Sequence, residues 1–173
     1  MKRDRDDAFL QPLQAHRGIL YKVANAYCAR REDRGDLIQD IIVELWRAWP
    51  RFDGRAAFST WMYRIAVNVA ISSHRGLTRR VNDAAPLDDF AFDLAAADAA
   101  MTDEGDDMHA LHQLISRLDD LDRALVLLFL EGYDHEQIGQ MLGLGTSNVA
   151  TRFNRIKQRM QRDHAAASKE TTP

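Results

Sequence analysis

Three groups of side chains in this 173-residue sequence have informative types and spacing, and two of them are suited to binding. Between Arg47 and Arg80 lie seven bases (Arg47, Arg51, Arg55, Arg64, Arg75, Arg79, Arg80) and one acid, Asp53, interleaved with Phe52, Phe58, Trp61 and Tyr63. Cations neutralise phosphates and rings stack on bases, so the mixture suits single-stranded nucleic acid. The second group runs from Thr146 to Arg162, with five bases and no acid. There Ser147, Asn148, Ala150, Thr151, Asn154, Arg155, Arg159 and Arg162 lie off an apolar stripe, a pattern that suits a helix reading a DNA groove. The third group is Asp36, Gln39, Asp40, Val43, Glu44 and Arg47, the outward positions of a strongly apolar helix. On composition alone its three acids read first as a solvated face.

Catalytic constellations are missing. The sequence holds no Gly-x-x-x-x-Gly-Lys phosphate loop, no Gly-x-Ser-x-Gly elbow and no His-Glu-x-x-His zinc helix. His109 and His112 give two imidazoles without a placed third ligand, and the single cysteine, Cys28, rules out an internal disulfide and a thiolate zinc cluster. Cys28 falls in an apolar helical pattern and is expected to be an inert core thiol. No catalytic residue, metal or cofactor is expected.

The elements that must position these groups are helices. Phe9, Leu13, Leu20, Val23, Ala24 and Tyr27 predict a helix begun or interrupted near Pro12. Arg30 to Gly35 read as a turn, with Asp36 capping a helix to about Trp49 whose buried face is Leu37, Ile38, Ile41, Ile42, Leu45, Trp46 and Trp49. Pro50 stops it, and an Asp53-Gly54 turn leads into a helix with Phe58, Trp61, Met62, Ile65, Ala66 and Val69 on one side and Thr60, Arg64, Asn68, Ser72 and Arg75 on the other. The rings of that apolar stripe can serve as core or as stacking platforms. Further on, Leu111, Leu114, Ile115 and Leu118 predict one helix, and Asp119-Asp120 cap another through Leu121, Leu125, Leu128 and Phe129. Asp134 and Gln137 form a capping-box start, Gly143 ends a short helix, and a last helix begins near Thr146 with Val149, Phe153, Ile156 and Met160 on its stripe. Gly139 is expected where the two final helices cross. A short helix, a Gly turn and a basic second helix make a helix-turn-helix layout.

The net charge of −3 conceals a division along the chain. Residues 1–80 hold fifteen bases and nine acids, residues 81–107 hold nine acids and no base, and residues 108–173 hold eight of each. The near-neutral balance therefore does not argue against nucleic acid, because the basic surfaces are local. The acidic, Ala-rich stretch has no sustained period and reads as a linker. The fold expected is all-α, with two small helical domains joined by a flexible acidic linker: residues 1–80, a linker 81–107, residues 108–163, and a disordered tail 164–173. The first seven residues lack the apolar core of a signal peptide, and the longest aliphatic run, Ala124 to Leu130, is too short to span a bilayer, so a cytoplasmic protein with no membrane insertion is expected.

These motifs resemble those of an extracytoplasmic-function (ECF) sigma factor of bacterial RNA polymerase. Asp36-Leu37-Ile38-Gln39-Asp40 with Leu45-Trp46 resembles the segment that grips the clamp helices of the polymerase largest subunit. The resemblance implies that Asp36, Gln39, Asp40, Val43, Glu44 and Arg47 contact polymerase. Phe52-Asp53-Gly54-Arg55, Phe58 and Thr60 to Ala66 resemble the minus-ten and melting segment. The loop Phe52 to Phe58 would then hold a flipped non-template base, with Arg64, Asn68 and Arg75 following the adjacent backbone. Gly132, Ile138, Gly139, Leu142-Gly143-Leu144, Val149, Arg152 and Arg155 resemble the helix-turn-helix that reads the minus-thirty-five element. There the resemblance places Ala150, Thr151 and Asn154 at base-reading positions and Arg152, Arg155 and Lys157 at phosphates, with Ser147 and Asn148 in the same DNA-binding set. Implied partners are core RNA polymerase, through its clamp helices and flap, promoter DNA, and an anti-sigma factor.

Three positions depart from the family pattern. Asp40 stands where Glu is usual, Gly145 takes the usual Ser cap position, and Ala150 replaces a commonly basic residue, so promoter preference does not transfer from relatives. The competing reading is a stand-alone helix-turn-helix regulator with an N-terminal sensing or dimerising domain. A partner-binding helical module without a nucleic-acid role is a third.

Overall fold

A computed structural model of the chain describes residues 2–74, 76 and 113–170, all helix and connecting turns with no strand among them. The chain divides into two units, Met1–His109 and Ala110–Pro173. The linker expected over 81–107 and the histidines His109 and His112 lie outside the described residues, as do Arg75, Arg79 and Arg80.

The first unit contains α1 (Lys2–Ala15), α2 (Gly18–Tyr27), α3 (Arg31–Ala48), a 3₁₀ turn (Trp49–Arg51) and α4 (Phe58–His74). Helices α2, α3 and α4 pack against one another. Each turns one apolar stripe inward, and Leu20, Val23, Ile41, Leu45, Met62, Ala66 and Val67 are fully or almost fully buried. Helix α1 adds Phe9 and Leu13, both fully buried. Pro12 sits inside α1, and the interruption expected near it falls four residues later. The Pro12 carbonyl still accepts from the His16 backbone N–H at 3.1 Å, so the turn closes before the chain reverses into α2.

Helix α3 corrects the sequence reading. The expected turn Arg30–Gly35 is helical from Arg31, and Asp36 is an interior residue rather than the cap. Glu32 and Asp33 in the first turn favour this longer start by complementing the helix dipole. Cys28 is likewise not core. It is the half-buried C-cap of α2, its Sγ 3.7 Å from the Asp33 carbonyl oxygen.

In the second unit, residues 113–116 are helical and lead to α5 (Asp120–Leu130), α6 (His135–Leu142) and α7 (Thr146–Glu170). Asp119 caps α5 by accepting from the Asp122 N–H at 2.8 Å. Asp134 and Gln137 form the reciprocal capping box of α6 at 2.8 and 3.0 Å. Arg123 is buried, and its Nη2 donates to the Ser116 and Leu118 carbonyls at 2.9 and 3.1 Å, satisfying the end of the preceding helix. Ile115, Leu125, Leu128, Ile138, Met141, Val149 and Ile156 form the core. A Cβ at Gly139 would lie 2.6 Å from the Leu144 carbonyl oxygen, so Gly139 is crowded by the turn backbone rather than by the second helix. Helix α7 continues to Glu170, where the sequence suggests a disordered tail from 164. The Ala165-Ala166-Ala167 run has the highest helix propensity and lets the helix propagate.

Candidate nucleic-acid and partner interfaces

Because α3 starts early, Asp36, Asp40 and Glu44 follow one another at four-residue intervals along a single row. Gln39, Val43 and Arg47 make the adjacent row. Asp36, Gln39 and Arg47 are exposed, whereas Asp40, Val43 and Glu44 are half-buried. Arg47 Nη1 donates to Glu44 Oε1 at 2.8 Å. Asp40 is the unsettled member. Its partial burial pushes its carboxyl above the usual carboxylate range, and Asp36 and Glu44 push it further. A carboxylate held half-buried between two others is a group that a cationic partner would stabilise.

The second candidate site is the loop between the 3₁₀ turn and α4. Asp53, Gly54, Arg55, Ala56 and Ala57 are all exposed. Gly54 takes φ of +73°, a left-handed conformation that favours Gly. Asp53 Oδ1 accepts from the Arg55 backbone N–H at 3.1 Å, and its Oδ2 lies 3.2 Å from Arg55 Nε, so one carboxylate shapes the tip. The rings at the two ends, Phe52 and Phe58, are half-buried and meet edge to face with centroids 5.8 Å apart. Phe52 stacks on Trp49 at 5.4 Å, and both ends touch Trp61 at 4.9 and 5.4 Å. The rings left open as core or stacking platforms thus form the stem of the loop, and Tyr63 is buried. On α4, Arg64 and Asn68 are exposed one turn apart, and Asn68 Nδ2 donates to the Arg64 carbonyl at 2.7 Å. Arg75, expected to continue this line, is outside the described residues.

The third site is the outer face of α7. Ser147, Asn148, Thr151, Asn154, Arg155 and Lys157 are exposed and Ala150 is half-buried. Thr151 Oγ1 donates to the Ser147 carbonyl at 2.8 Å, which orients its methyl and hydroxyl. Arg152 is not on this face. Its Nη1 pairs with Asp122 Oδ1 of α5 at 2.7 Å, with both side chains largely buried. The geometry therefore makes Arg152 a tie between α5 and α7 instead of a phosphate contact; a pairing thirty residues apart leaves no periodic signal in the sequence.

A fourth feature escaped the sequence reading. Phe129, expected on the apolar stripe of α5, is 50% exposed, and its neighbour Leu130 is 54% exposed. Phe129 lies 4.9 Å from Phe153, and Phe153 stacks on His135 at 5.1 Å. Three rings from α5, α6 and α7 thus make an apolar patch at the surface of the second unit, and Phe153 is only half-buried. The one available signal was an apolar Phe129-Leu130 pair immediately before the Glu131-Gly132 stop.

The described residues contain no group of three His, Cys, Asp or Glu side chains placed to hold a metal, and no helix among them is long and apolar enough to cross a membrane. Comparison with known proteins accounts for the two units. The family model for sigma-70 region 2 matches residues 13–89, and that for sigma-70 region 4 matches residues 108–160. The RNA polymerase sigma-H factor of Pseudomonas aeruginosa is 31% identical over 136 residues, covering 73% of this chain and 70% of that protein. The chain belongs to the sigma-70 family. This sigma factor is of the ECF type. The ECF RNA polymerase sigma factor SigM of Mycobacterium tuberculosis is 29% identical over 156 residues, 90% of this chain and 76% of that one. Its fold matches that of CnrH in complex with the cytosolic domain of CnrY, with a TM-score of 0.64 and 23% identity over 93% of this sigma factor and 90% of that chain. It also matches the Bartonella quintana sigma factor RpoE solved with the anti-sigma factor NepR, at a TM-score of 0.59 and 19% identity over 92% and 96% of the two chains. The acid row, the loop and the face of α4 fall in the region 2 match, and the face of α7 in the region 4 match.

Proposed function

We propose that this ECF sigma factor divides transcription initiation among three surfaces, with residues 1–80 as region 2, residues 108–163 as region 4 and residues 81–107 as an acidic tether. Sigma factors bind core RNA polymerase and direct promoter recognition and opening. On our reading Asp36, Gln39, Asp40, Val43, Glu44 and Arg47 dock on the clamp helices of the largest subunit. The loop Phe52 to Phe58 captures one flipped non-template base of the minus-ten element through its exposed tip, and Arg64, Asn68 and Arg75 track the neighbouring phosphates. Ser147, Asn148, Ala150, Thr151 and Asn154 face the minus-thirty-five bases, with Arg155 and Lys157 on phosphates. The exposed Phe129, Leu130 and Phe153 patch suits the polymerase flap. The tether imitates nucleic-acid charge in a basic polymerase channel.

The observation that carries the docking assignment is the placement of Asp36, Asp40 and Glu44 at four-residue intervals along one row of α3, within the region 2 match, where a cationic surface would offset their mutual repulsion. Opening about ten base pairs at about 1.4 kcal/mol of stacking per step costs on the order of 14 kcal/mol. Extruding one base costs only a few kcal/mol. The sigma factor therefore nucleates opening while polymerase holds the remainder, and it does so without catalysing a reaction of its own, in the cytoplasm. An anti-sigma factor that covers its DNA-binding faces is part of this reading, supported by the complex in which the Bartonella quintana relative was solved with the anti-sigma factor NepR.

Reconstitution with core polymerase tests the assignment. The wild-type protein is expected to co-elute with core and to give promoter-dependent run-off transcripts. Exchanging Asp36 and Asp40 for Arg should abolish co-elution, and unchanged transcription by that variant would exclude the clamp assignment.

A further inference from the structure

Residues 2–12 precede the region 2 match, yet the middle of α1 reaches the base of the promoter loop. Phe9 is 0% exposed. It stands edge-on between Trp46 at 5.2 Å and Trp49 at 5.6 Å. Trp49 in turn stacks on Phe52 at 18° between planes and meets Phe58 at 6.1 Å. At the end of the same helix, His16 lies 5.5 Å from Phe58. The His16 ring is itself fixed, since Nδ1 donates to the Pro12 carbonyl oxygen at 2.9 Å. The chain of rings therefore closes: Phe9, Trp49, Phe52, Phe58, His16, and back through α1.

We propose that α1 is a brace for the promoter loop, with Phe9 and His16 as positioning residues that fix its two ends and so set its base discrimination. Neither residue touches DNA. Phe9 acts on Phe52 through Trp49, and His16 acts on Phe58 directly. Between those ends only five residues remain to be ordered, and their tip is already shaped by Asp53. Each backbone residue ordered during capture costs free energy, and a loop held at both ends has less left to order, so it binds more tightly and selects more sharply. Edge-to-face ring pairs give this restraint direction as well as burial. The inference rests on the assignment of the loop as the base-capturing site.

The test uses holoenzyme assembled from the full chain and core polymerase. Single-stranded DNA is selected from a randomised pool on the wild-type holoenzyme, then compared with the same oligonucleotide carrying an abasic site at the captured position. Phe9→Ala and His16→Ala are expected to reduce the ratio of the two affinities by about tenfold, the factor that a change of 1.4 kcal/mol produces, with affinity for core unchanged. Phe9→Leu, which refills the space, should restore most of the ratio. A wild-type ratio in both alanine variants, beside a lost ratio in Asp53→Ala, overturns the brace. A wild-type ratio in all three overturns the loop assignment instead. Circular dichroism identifies global unfolding of Phe9→Ala, in which case the half-buried His16 decides the question.

Discussion

The fold makes the charge on Asp40 costly. Burial, Asp36 and Glu44 all raise its carboxyl above the usual range, so the folded chain holds a proton there more readily than the unfolded one. The stability linked to this group is therefore fully present below the ordinary carboxylate range and is lost as pH rises through the raised folded value. Asp40→Asn removes that loss. Its thermal midpoint should exceed that of the parent at pH 7, with the difference shrinking as pH falls into and below the carboxylate range. On the proposed docking, the same change should weaken core binding by about tenfold, since it removes one charge of the acid row. Thermal melts at several pH values and a titration against core read the two effects. Opposite signs identify a residue kept for its partner rather than for the fold. Arg152 shows the converse at the same scale: a cation that looks fit for phosphate by sequence is committed to Asp122 inside the unit.

At the scale of elements, the helix-turn-helix depends on one close approach. A Cβ at Gly139 would meet the Leu144 backbone carbonyl at 2.6 Å, and backbone cannot swing aside as a side chain can. Gly139→Ala should destabilise the second unit by about 2 kcal/mol, as overpacking of a well-packed site does. Gly145→Ser is the control. Nothing lies within 4 Å of a Cβ there, and Ser at this cap position should stabilise by a few tenths of a kcal/mol. Urea unfolding of the two variants in parallel measures both. This turn was legible from sequence, with its capping box and Gly143, because each signal acts within a few residues. The apolar stripes of α3, α4 and α7 were legible for the same reason, and with them the acid row, the loop and the exposed polar face of α7. The start of α3 was not, since a first turn stabilised by Glu32 and Asp33 competes with a Gly35-Asp36 stop signal that looks stronger locally. Nor were the Asp122–Arg152 tie, the Phe129–Phe153–His135 cluster or the link from Phe9 to the loop, all of which join residues from different helices.

For the whole molecule, the order of events separates docking from opening. On the proposed assignment polymerase sustains strand separation, so docking through the acid row of α3 precedes base capture by the loop. A defect in the loop belongs to the opening step, and a template already unpaired over the minus-ten region removes the demand for that step. Asp53→Ala loosens the tip that Asp53 holds at Arg55, and on duplex promoter it should lower run-off transcription by about tenfold, the effect of 1.36 kcal/mol on a barrier. On the pre-opened template that deficit should largely vanish. The Asp36→Arg, Asp40→Arg variant should fail on both templates, because no unpaired bubble replaces the contact with core. Run-off transcription from matched duplex and bubble templates, at a fixed salt concentration because phosphate contacts are salt-sensitive, measures all four combinations. Rescue of the docking variant by the bubble would place the acid row in opening. Failure of the bubble to rescue Asp53→Ala would place the loop in a step other than base capture.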